Sequence, residues 1–214
     1  AAEVYPFAAI LNDLIHDNNA CTETVFYMTW GRKYGDQQNC QFYAPVCTYL
    51  GMQNRLRDSY LTMADSFNAT VSPAGIAFMK SMTADSSVNL YSTDNSHPSV
   101  AGTYLIACVF YATIFQKTPM NLSYHASLSD SVAEFLQGIA HSTVFDSLSQ
   151  WNVNGNMPVA NFIYSTNNDS AQFFSQSNTL NQPNFNEAIQ TFSWSFGDGT
   201  TDTTANPTHV YSQS

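Results

Sequence analysis

The chain has few charged residues and very few basic ones. Of its 214 residues 10% are charged, and 6 Lys and Arg stand against 16 Asp and Glu, for a formal net charge of −10 at pH 7. A surface of that sign repels nucleic acid and anionic lipid, which excludes both as partners. Polarity comes instead from Ser, Thr, Asn and Gln, and this composition favours an exported protein over a cytoplasmic one.

Long apolar runs and leader signals are absent as well. No segment approaches the roughly 20 apolar residues of a membrane span, and the first residues lack the basic and apolar regions of a signal peptide. The first residue is alanine and lies just before a predicted helix, so we expect an N-terminally truncated chain. With 44% hydrophobic residues the chain has enough apolar surface to fold, and its length predicts one domain plus part of another.

Cysteine is scarce, with Cys21, Cys40, Cys47 and Cys108 as its four occurrences. Cys40 and Cys47 bracket a short loop, and a disulfide is favoured there over a zinc site, which would need closer spacing and a second ligand pair. Cys108 lies in an apolar helical pattern and is predicted to be a buried thiol. For Cys21 the pattern leaves a disulfide and a free thiol equally open.

The first three quarters of the chain alternate between helical and strand patterns. Apolar spacing predicts helices over 6–17, 51–67, 72–82 and 98–116 and one that starts at 128 and closes near 151. Short apolar runs predict strands over 23–29, 69–71 and 88–92. This alternation indicates an α/β domain with a parallel sheet covered on both faces.

Beyond residue 155 the apolar period changes from 3.6 to 2. Phe192, Trp194 and Phe196 alternate with hydroxyl-bearing residues, and further strands are predicted over 159–165 and 171–177. Short alternating strands of this kind indicate an antiparallel sandwich. We therefore predict two domains, 1–154 and 155–214.

The stretch STDNSHPSVAGTYL, at 92–105, combines a carboxylate and an imidazole in one loop. Asp94, three residues before His97, is suited to hold the imidazole in the tautomer that a general base needs, and Pro98 fits the first position of the following helix. An ordinary capping role for Asp94, with His97 as a helix-entry residue, is the alternative for any isolated D-x-x-H pattern. These two residues are the candidate catalytic pair.

The D-x-x-H-P block with its following glycine resembles the last motif of the SGNH (GDSL-like) hydrolase family. FYMTWGRKYGD at 26–36 and VSPAG at 71–75 extend the resemblance, which covers about residues 5–118. It implies a three-layer, flavodoxin-like α/β domain in which Asp94 orients His97 and His97 acts as base and then as acid. It also offers Gly31 and Arg32 as substrate-binding residues, although a surface ion pair is the commoner role for such an arginine.

The family's serine nucleophile has no counterpart in the sequence. No G-D-S or G-x-S-x-G motif occurs, and the D-S pairs at 64–66, 84–87 and 129–131 fall in or beside predicted helices. We therefore expect the first strand and the nucleophile to lie upstream and this fragment to be inactive. The resemblance implies no metal or organic cofactor.

The segments FSWSFGDG at 192–199 and NPTHVY at 206–211 resemble a PKD domain, an immunoglobulin-like sandwich, here incomplete at its C-terminus. A structural role is predicted for His209, and a glycan or surface-protein contact for the domain. Together the resemblances imply a secreted or cell-surface serine esterase whose substrate is an ester, with an acetylated polysaccharide as one candidate. The alternative is a noncatalytic adhesion or glycan-binding protein built on the same two domains.

Overall fold

The computed structural model describes residues 3–19, 22–153, 158–179 and 191–211, and the side chains of 158–159 and 178–179 lie outside this description. The chain divides after Val153 into two compact units, 1–153 and 154–214. Mixed α and β elements form the first unit, and short strands form the second. Cys21 lies outside the described residues.

Five helices and two strands form the described part of the first unit. The helices are α1 (Tyr5–Asn18), α2 (Tyr49–Phe67), α3 (Ala74–Ala84), α4 (Val100–Phe115) and α5 (Asp130–Phe145), and the strands are β1 (Val25–Tyr27) and β2 (Thr70–Ser72). Two 3-10 turns, Ala44–Cys47 and Leu148–Trp151, precede α2 and follow α5. The five predicted helices are therefore confirmed, with ends that differ by a few residues.

Helices cover both faces of the small parallel sheet. β1 and β2 pair in parallel, with Phe26 opposite Val71. The ring of Phe26 lies 6.1 Å from that of Phe67 on α2, whereas the ring of the next residue, Tyr27, lies 4.8 Å from that of Phe110 on α4. Because successive strand residues point to opposite faces, α2 and α4 lie on opposite sides of the sheet.

The main core lies among α3, α4 and α5. Phe78, Leu105, Val109 and Leu136 are fully buried there. Burial of a side chain of this size stabilises the fold by about 1.5–3 kcal/mol. Helix α4 is apolar on nearly every side, so it is stabilised chiefly by packing against its neighbours in the core. None of the helices in the described ranges is long and apolar enough to cross a membrane.

The predicted strand over 88–92 is wrong. Leu90 and Tyr91 are each 1% exposed, yet the segment makes only an isolated bridge between Tyr91 and Pro98. The carbonyl of Leu90 accepts from the amide of Ser99 at 2.9 Å, so this segment bonds to the turn that follows it and not to β2. Its apolar side chains reflect burial in the core and not sheet pairing.

Helix α4 begins two residues later than expected. Ser99, and not Pro98, precedes the first helical residue, and its hydroxyl accepts from the amide of Gly102 at 3.2 Å. A side chain at Gly102 would meet the carbonyl of Leu90 at 2.3 Å. The glycine four residues after Pro98 therefore lets the start of α4 approach the segment that carries Asp94 and His97.

The second unit is built from short strands. They are β3 (Pro158–Val159), β4 (Phe162–Asn167), β5 (Ser170–Ser175), β6 (Asn178–Thr179), β7 (Trp194–Ser195), β8 (Thr201–Asp202) and β9 (Thr208–Val210). Antiparallel pairing joins β4 to β5, β5 to β9, β3 to β6 and β7 to β8. The predicted strands over 159–165 and 171–177 correspond to β4 and β5. The stretch 180–190 lies outside the described residues.

The disulfide between Cys40 and Cys47 is confirmed. Neither sulfur is then available as a metal ligand. Cys108 is a free, buried thiol on α4, and burial raises its pKa to about 11. A thiol in this state is protonated at neutral pH and unreactive.

Candidate functional site

Asp94 and His97 contact each other as a pair. Nδ1 of His97 lies 2.5 Å from Oδ2 of Asp94, and the two residues belong to the turn between Tyr91 and α4. An ionised carboxylate can only accept, so Nδ1 carries the proton of this hydrogen bond. In the neutral imidazole Nε2 is then the nitrogen with a lone pair, as a general base requires.

The turn holds the carboxylate of Asp94 in place. Oδ1 accepts from the hydroxyl of Ser92 at 2.8 Å, from the amide of Ser96 at 3.0 Å and from the amide of His97 at 2.9 Å. The bond from the His97 ring, followed by those from the Ser96 and His97 amides, holds the pKa of Asp94 well below its usual range. The carboxylate is thus ionised and fixed at neutral pH.

The imidazole of His97 is open to solvent. Its side chain is 80% exposed, against 48% for Asp94. Nε2 makes no hydrogen bond within the described ranges, and no serine hydroxyl there approaches it. The pair therefore presents one free basic nitrogen at the surface of the first unit.

Two other His–Asp pairs occur in the part of the chain that the structure describes, and they differ from this one. His125 uses both ring nitrogens, Nδ1 with Asp130 at 2.9 Å and Nε2 with the carbonyl of Leu122 at 2.8 Å. His209 is bonded to Asp198 at 2.7 Å, and its ring stacks on Phe196 at 4.3 Å. Their side chains are 21% and 13% exposed, so they suit structural roles.

The segment 30–33 is bonded directly to the turn that carries the pair. Nε1 of Trp30 donates to the carbonyl of Ser96 at 2.9 Å. The backbone amide of Lys33 donates to the carbonyl of Asn95, also at 2.9 Å. In the other direction the buried hydroxyl of Tyr91 donates to the carbonyl of Gly31 at 2.7 Å. The TWGR and D-x-x-H segments, some 60 residues apart in sequence, form one site.

Gly31 serves this site through its backbone. Its amide donates to Oε1 of Gln53 at 2.9 Å and its carbonyl accepts from Tyr91, so both polar groups are already used within the protein. A side chain there would meet the carbonyl of Tyr49 at 3.1 Å. Gly31 thus positions the segment. It has no free backbone donor for the predicted contact with a substrate.

Arg32 lies beside the pair and makes an ion pair. Its Nη1 lies 3.1 Å from Oδ1 of Asp36, and its side chain is 43% exposed. Hydrogen bonds from Asn39, first from its side chain, lower the pKa of Asp36. The same arginine lines a shallow depression of about 230 Å³ that reaches Asp94 but not His97. The other lining residues are Tyr34, Gly35, Gln37, Gln38, Asp94 and Asn95.

Sequence reasoning missed the residues that join the two segments. Trp30 directly follows the predicted strand over 23–29, Tyr91 lies in the predicted strand over 88–92 and Gln53 in the predicted helix over 51–67, and none of them was predicted to belong to a site. A tryptophan directly before Gly31 and a tyrosine at the end of the run before Asp94 were the available signals, because buried Trp and Tyr usually need a hydrogen-bond partner. The partners themselves lie too far away in sequence to be named.

The site includes no evident metal ligands. No group of three or more His, Cys, Asp or Glu side chains with metal-binding geometry occurs among the described residues. Of the serines in the D-S pairs, Ser66 lies on α2 with its hydroxyl donating to the carbonyl of Thr62, and Ser131 lies on α5.

Comparisons with known proteins define the second unit and the fold. Residues 156–214 match the model of the PKD domain family. A solved structure, that of a DUF4886 family protein from Bacteroides uniformis, is similar with a TM-score of 0.55 and 16% sequence identity over 66% of this chain. The match spans 57% of that protein, and at this identity it shows likeness of fold alone. No curated protein matches the chain.

The C-terminal unit is therefore a PKD-like β domain next to a mixed α/β unit. None of these comparisons names an SGNH hydrolase, so the resemblance of the D-x-x-H block to that family stays a prediction.

Proposed function

We propose that the α/β unit is part of an SGNH-type serine hydrolase that cleaves esters, with Asp94 and His97 as the acid and base of its triad. Its architecture in this proposal is the three-layer, flavodoxin-like one of that family. The observation that carries the proposal is the 2.5 Å contact from Nδ1 of His97 to Asp94 together with a free, exposed Nε2. The two other His–Asp pairs of the described chain lack that combination.

The pair suits acyl transfer. The neutral Nε2 takes the proton of a serine hydroxyl as the oxygen attacks the ester carbonyl, and the resulting imidazolium returns that proton to the leaving alcohol. Water then attacks the acyl-serine with His97 again as base, which releases the carboxylic acid and restores the serine. Throughout, Asp94 stays ionised and stabilises the imidazolium.

The nucleophile in this proposal is a serine from a preceding segment of a longer protein, because the 214 residues contain no G-D-S motif. The neighbouring PKD-like domain and the low content of basic residues support a secreted or cell-surface setting. An acetylated polysaccharide is the proposed class of substrate.

A first test uses the chain as given and asks which nitrogen of His97 carries the proton. In ¹⁵N NMR spectra at pH 8, Nδ1 should be protonated and Nε2 bare, and Asp94→Ala should remove that preference. Unprotonated Nδ1 in the unsubstituted chain would contradict the pairing.

A second test measures turnover in a longer gene product that includes the serine. His97→Ala should abolish hydrolysis of p-nitrophenyl acetate, whereas His125→Ala should leave it unchanged because both nitrogens of His125 are already bonded within the protein. Retained turnover in His97→Ala refutes the assignment.

The second candidate function is a noncatalytic surface protein that binds glycans or proteins. The absence of a recognisable nucleophile motif and the PKD-like unit favour it. A longer gene product that binds an oligosaccharide but hydrolyses no ester would support this candidate over the hydrolase.

A further inference from the structure

We infer that the depression beside Asp94 is a binding site for a neutral saccharide, which in the proposed hydrolase is the alcohol side of the ester. This inference rests on the proposed function only for the role of the saccharide as the alcohol side of the ester. The binding itself follows from what lines the depression: one exposed aromatic ring, three carboxamides, an arginine paired with Asp36, and Asp94.

The lining is held in shape before any ligand arrives. Gly35 has a φ of +75°, and a side chain there would meet the backbone of Val46 and Cys47 at 2.6 Å, so the turn between Arg32 and Asp36 requires glycine. The Cys40–Cys47 disulfide closes the loop behind it. A site ordered in advance loses less entropy on binding.

Several polar groups in the depression remain free to bind hydroxyls. Gln37 uses its amide nitrogen on the carbonyls of Tyr34 and Cys47, which leaves Oε1 as an acceptor. The side chains of Gln38 and Asn95 have no hydrogen bond within the described ranges. Arg32 gives Asp36 only Nη1, so its other N–H groups remain as donors.

The ring of Tyr34 supplies the apolar part of such a site. Its side chain is 63% exposed although it lies among polar groups, and the ammonium of Lys33 lies 5.8 Å from the ring centre. An exposed aromatic face beside carboxamides matches a sugar, whose C–H face packs on the ring while its hydroxyls bond around the edge. A fatty acyl chain would find too little apolar surface here.

The charges around the depression give an acidic sugar no advantage over a neutral one. Arg32 is the one cation among the lining residues, and Asp36 already pairs with it at 3.1 Å. Asp94, ionised at neutral pH, lies on the rim of the same depression. With the Lys33 ammonium beside the Tyr34 ring, the charges around the depression balance, so a uronic acid gains no net attraction over a neutral sugar.

The test is binding by the 214-residue chain, measured by NMR shift perturbation and calorimetry with xylohexaose, cellohexaose, mannohexaose and hexagalacturonate. At least one neutral hexaose should bind and shift the signals of Gln37, Gln38 and Asn95. Tyr34→Ala should weaken it about tenfold or more. Tyr164→Ala, which removes a tyrosine of nearly equal exposure (64%) from the PKD-like unit, should not.

Preference for hexagalacturonate, sensitivity to Tyr164→Ala instead of Tyr34→Ala, or no binding by any neutral hexaose would each overturn the inference. Asp94 lines the depression but His97 does not, so sugar binding and ester hydrolysis are separate readouts. In the longer protein, sugar binding without ester hydrolysis would therefore refute the proposed chemistry and leave this site intact. Ester hydrolysis without sugar binding would refute this site and leave the proposed chemistry intact.

Discussion

Replacing Tyr91 by phenylalanine tests whether the hydrogen bond between the two site segments stabilises the α/β unit. The change removes the hydroxyl that donates to Gly31 but keeps the ring, which packs edge-to-face on Phe78 at 5.7 Å. Tyr91 is 1% exposed, so water does not replace the lost donor. Because a buried acceptor without a partner costs about 1–3 kcal/mol, we expect the free energy of unfolding to fall by that amount.

Urea denaturation of the full chain measures this loss. Fluorescence in a Trp194→Phe background reports the first unit alone, since Trp30 and Trp151 both lie in it. A loss of 2 kcal/mol should also lower the melting temperature of a unit of this size by about 4–8 °C.

The matched control is Tyr124→Phe, which alters a side chain that is 76% exposed and should change stability by less than about 0.5 kcal/mol. Trp30→Phe removes the companion bond to Ser96 and replaces the indole by a smaller aromatic ring against Phe78, so its effect should couple to that of Tyr91→Phe by about 0.5 kcal/mol or more. Equal stability of Tyr91→Phe and the unsubstituted chain, or strict additivity of the two changes, would refute the view that these bonds hold one site.

Two further outcomes are expected. Replacing Cys40 and Cys47 by serine should lower the free energy of unfolding by about 2–3 kcal/mol, by the chain-entropy estimate for a loop this short; unchanged urea midpoints would contradict this. The lowered folded-state pKa of Asp94 means that its stabilising contribution is complete above the unfolded value of about 3.9 and is lost as pH falls through the lower folded value. A ¹³C titration of the Asp94 carboxyl should show the lowered pKa. His97→Ala should raise that pKa, because it removes the hydrogen bond that contributes most to the lowering. A pKa of Asp94 in its usual range in the unsubstituted chain would be evidence against the pair.

The elements that depend on local pattern could be predicted from the sequence. The helices α2 to α5 follow from apolar spacing because each buries apolar residues, on nearly all sides for α4. In α1 the same spacing gave the helix, but its apolar residues, such as Phe7 and Leu11, are exposed. The contact of Asp94 with His97 was also predictable, since three residues within one turn separate them. The disulfide followed from the short spacing of its two cysteines.

Features that depend on distant residues could not be predicted. The run at 88–92 has the composition of a buried strand, but Leu90 and Tyr91 are buried by α3 and α4. The carbonyl of Leu90 accepts from the amide of Ser99, and the backbone of Tyr91 bonds to the side chain of Asn89. The bond from Tyr91 to Gly31 spans 60 positions and that from Trp30 to Ser96 spans 66. Single-sequence patterns carry no information on such pairs.

The hydrogen bonds of the site are distributed unequally between Asp94 and His97. The carboxylate accepts four bonds from its own turn, whereas the imidazole makes one, to that carboxylate. Asp94 therefore stays in place without His97, but no other hydrogen bond from the part of the chain that the structure describes orients the ring. A change at Asp94 removes both the hydrogen bonds that hold the turn and the bond that orients the His97 ring. A loss of activity in an Asp94 variant therefore has two causes. A change at His97 removes the free nitrogen and one bond to Asp94 but leaves the three bonds from Ser92, Ser96 and the His97 amide, so the proposed chemistry is tested most directly by the His97 variants.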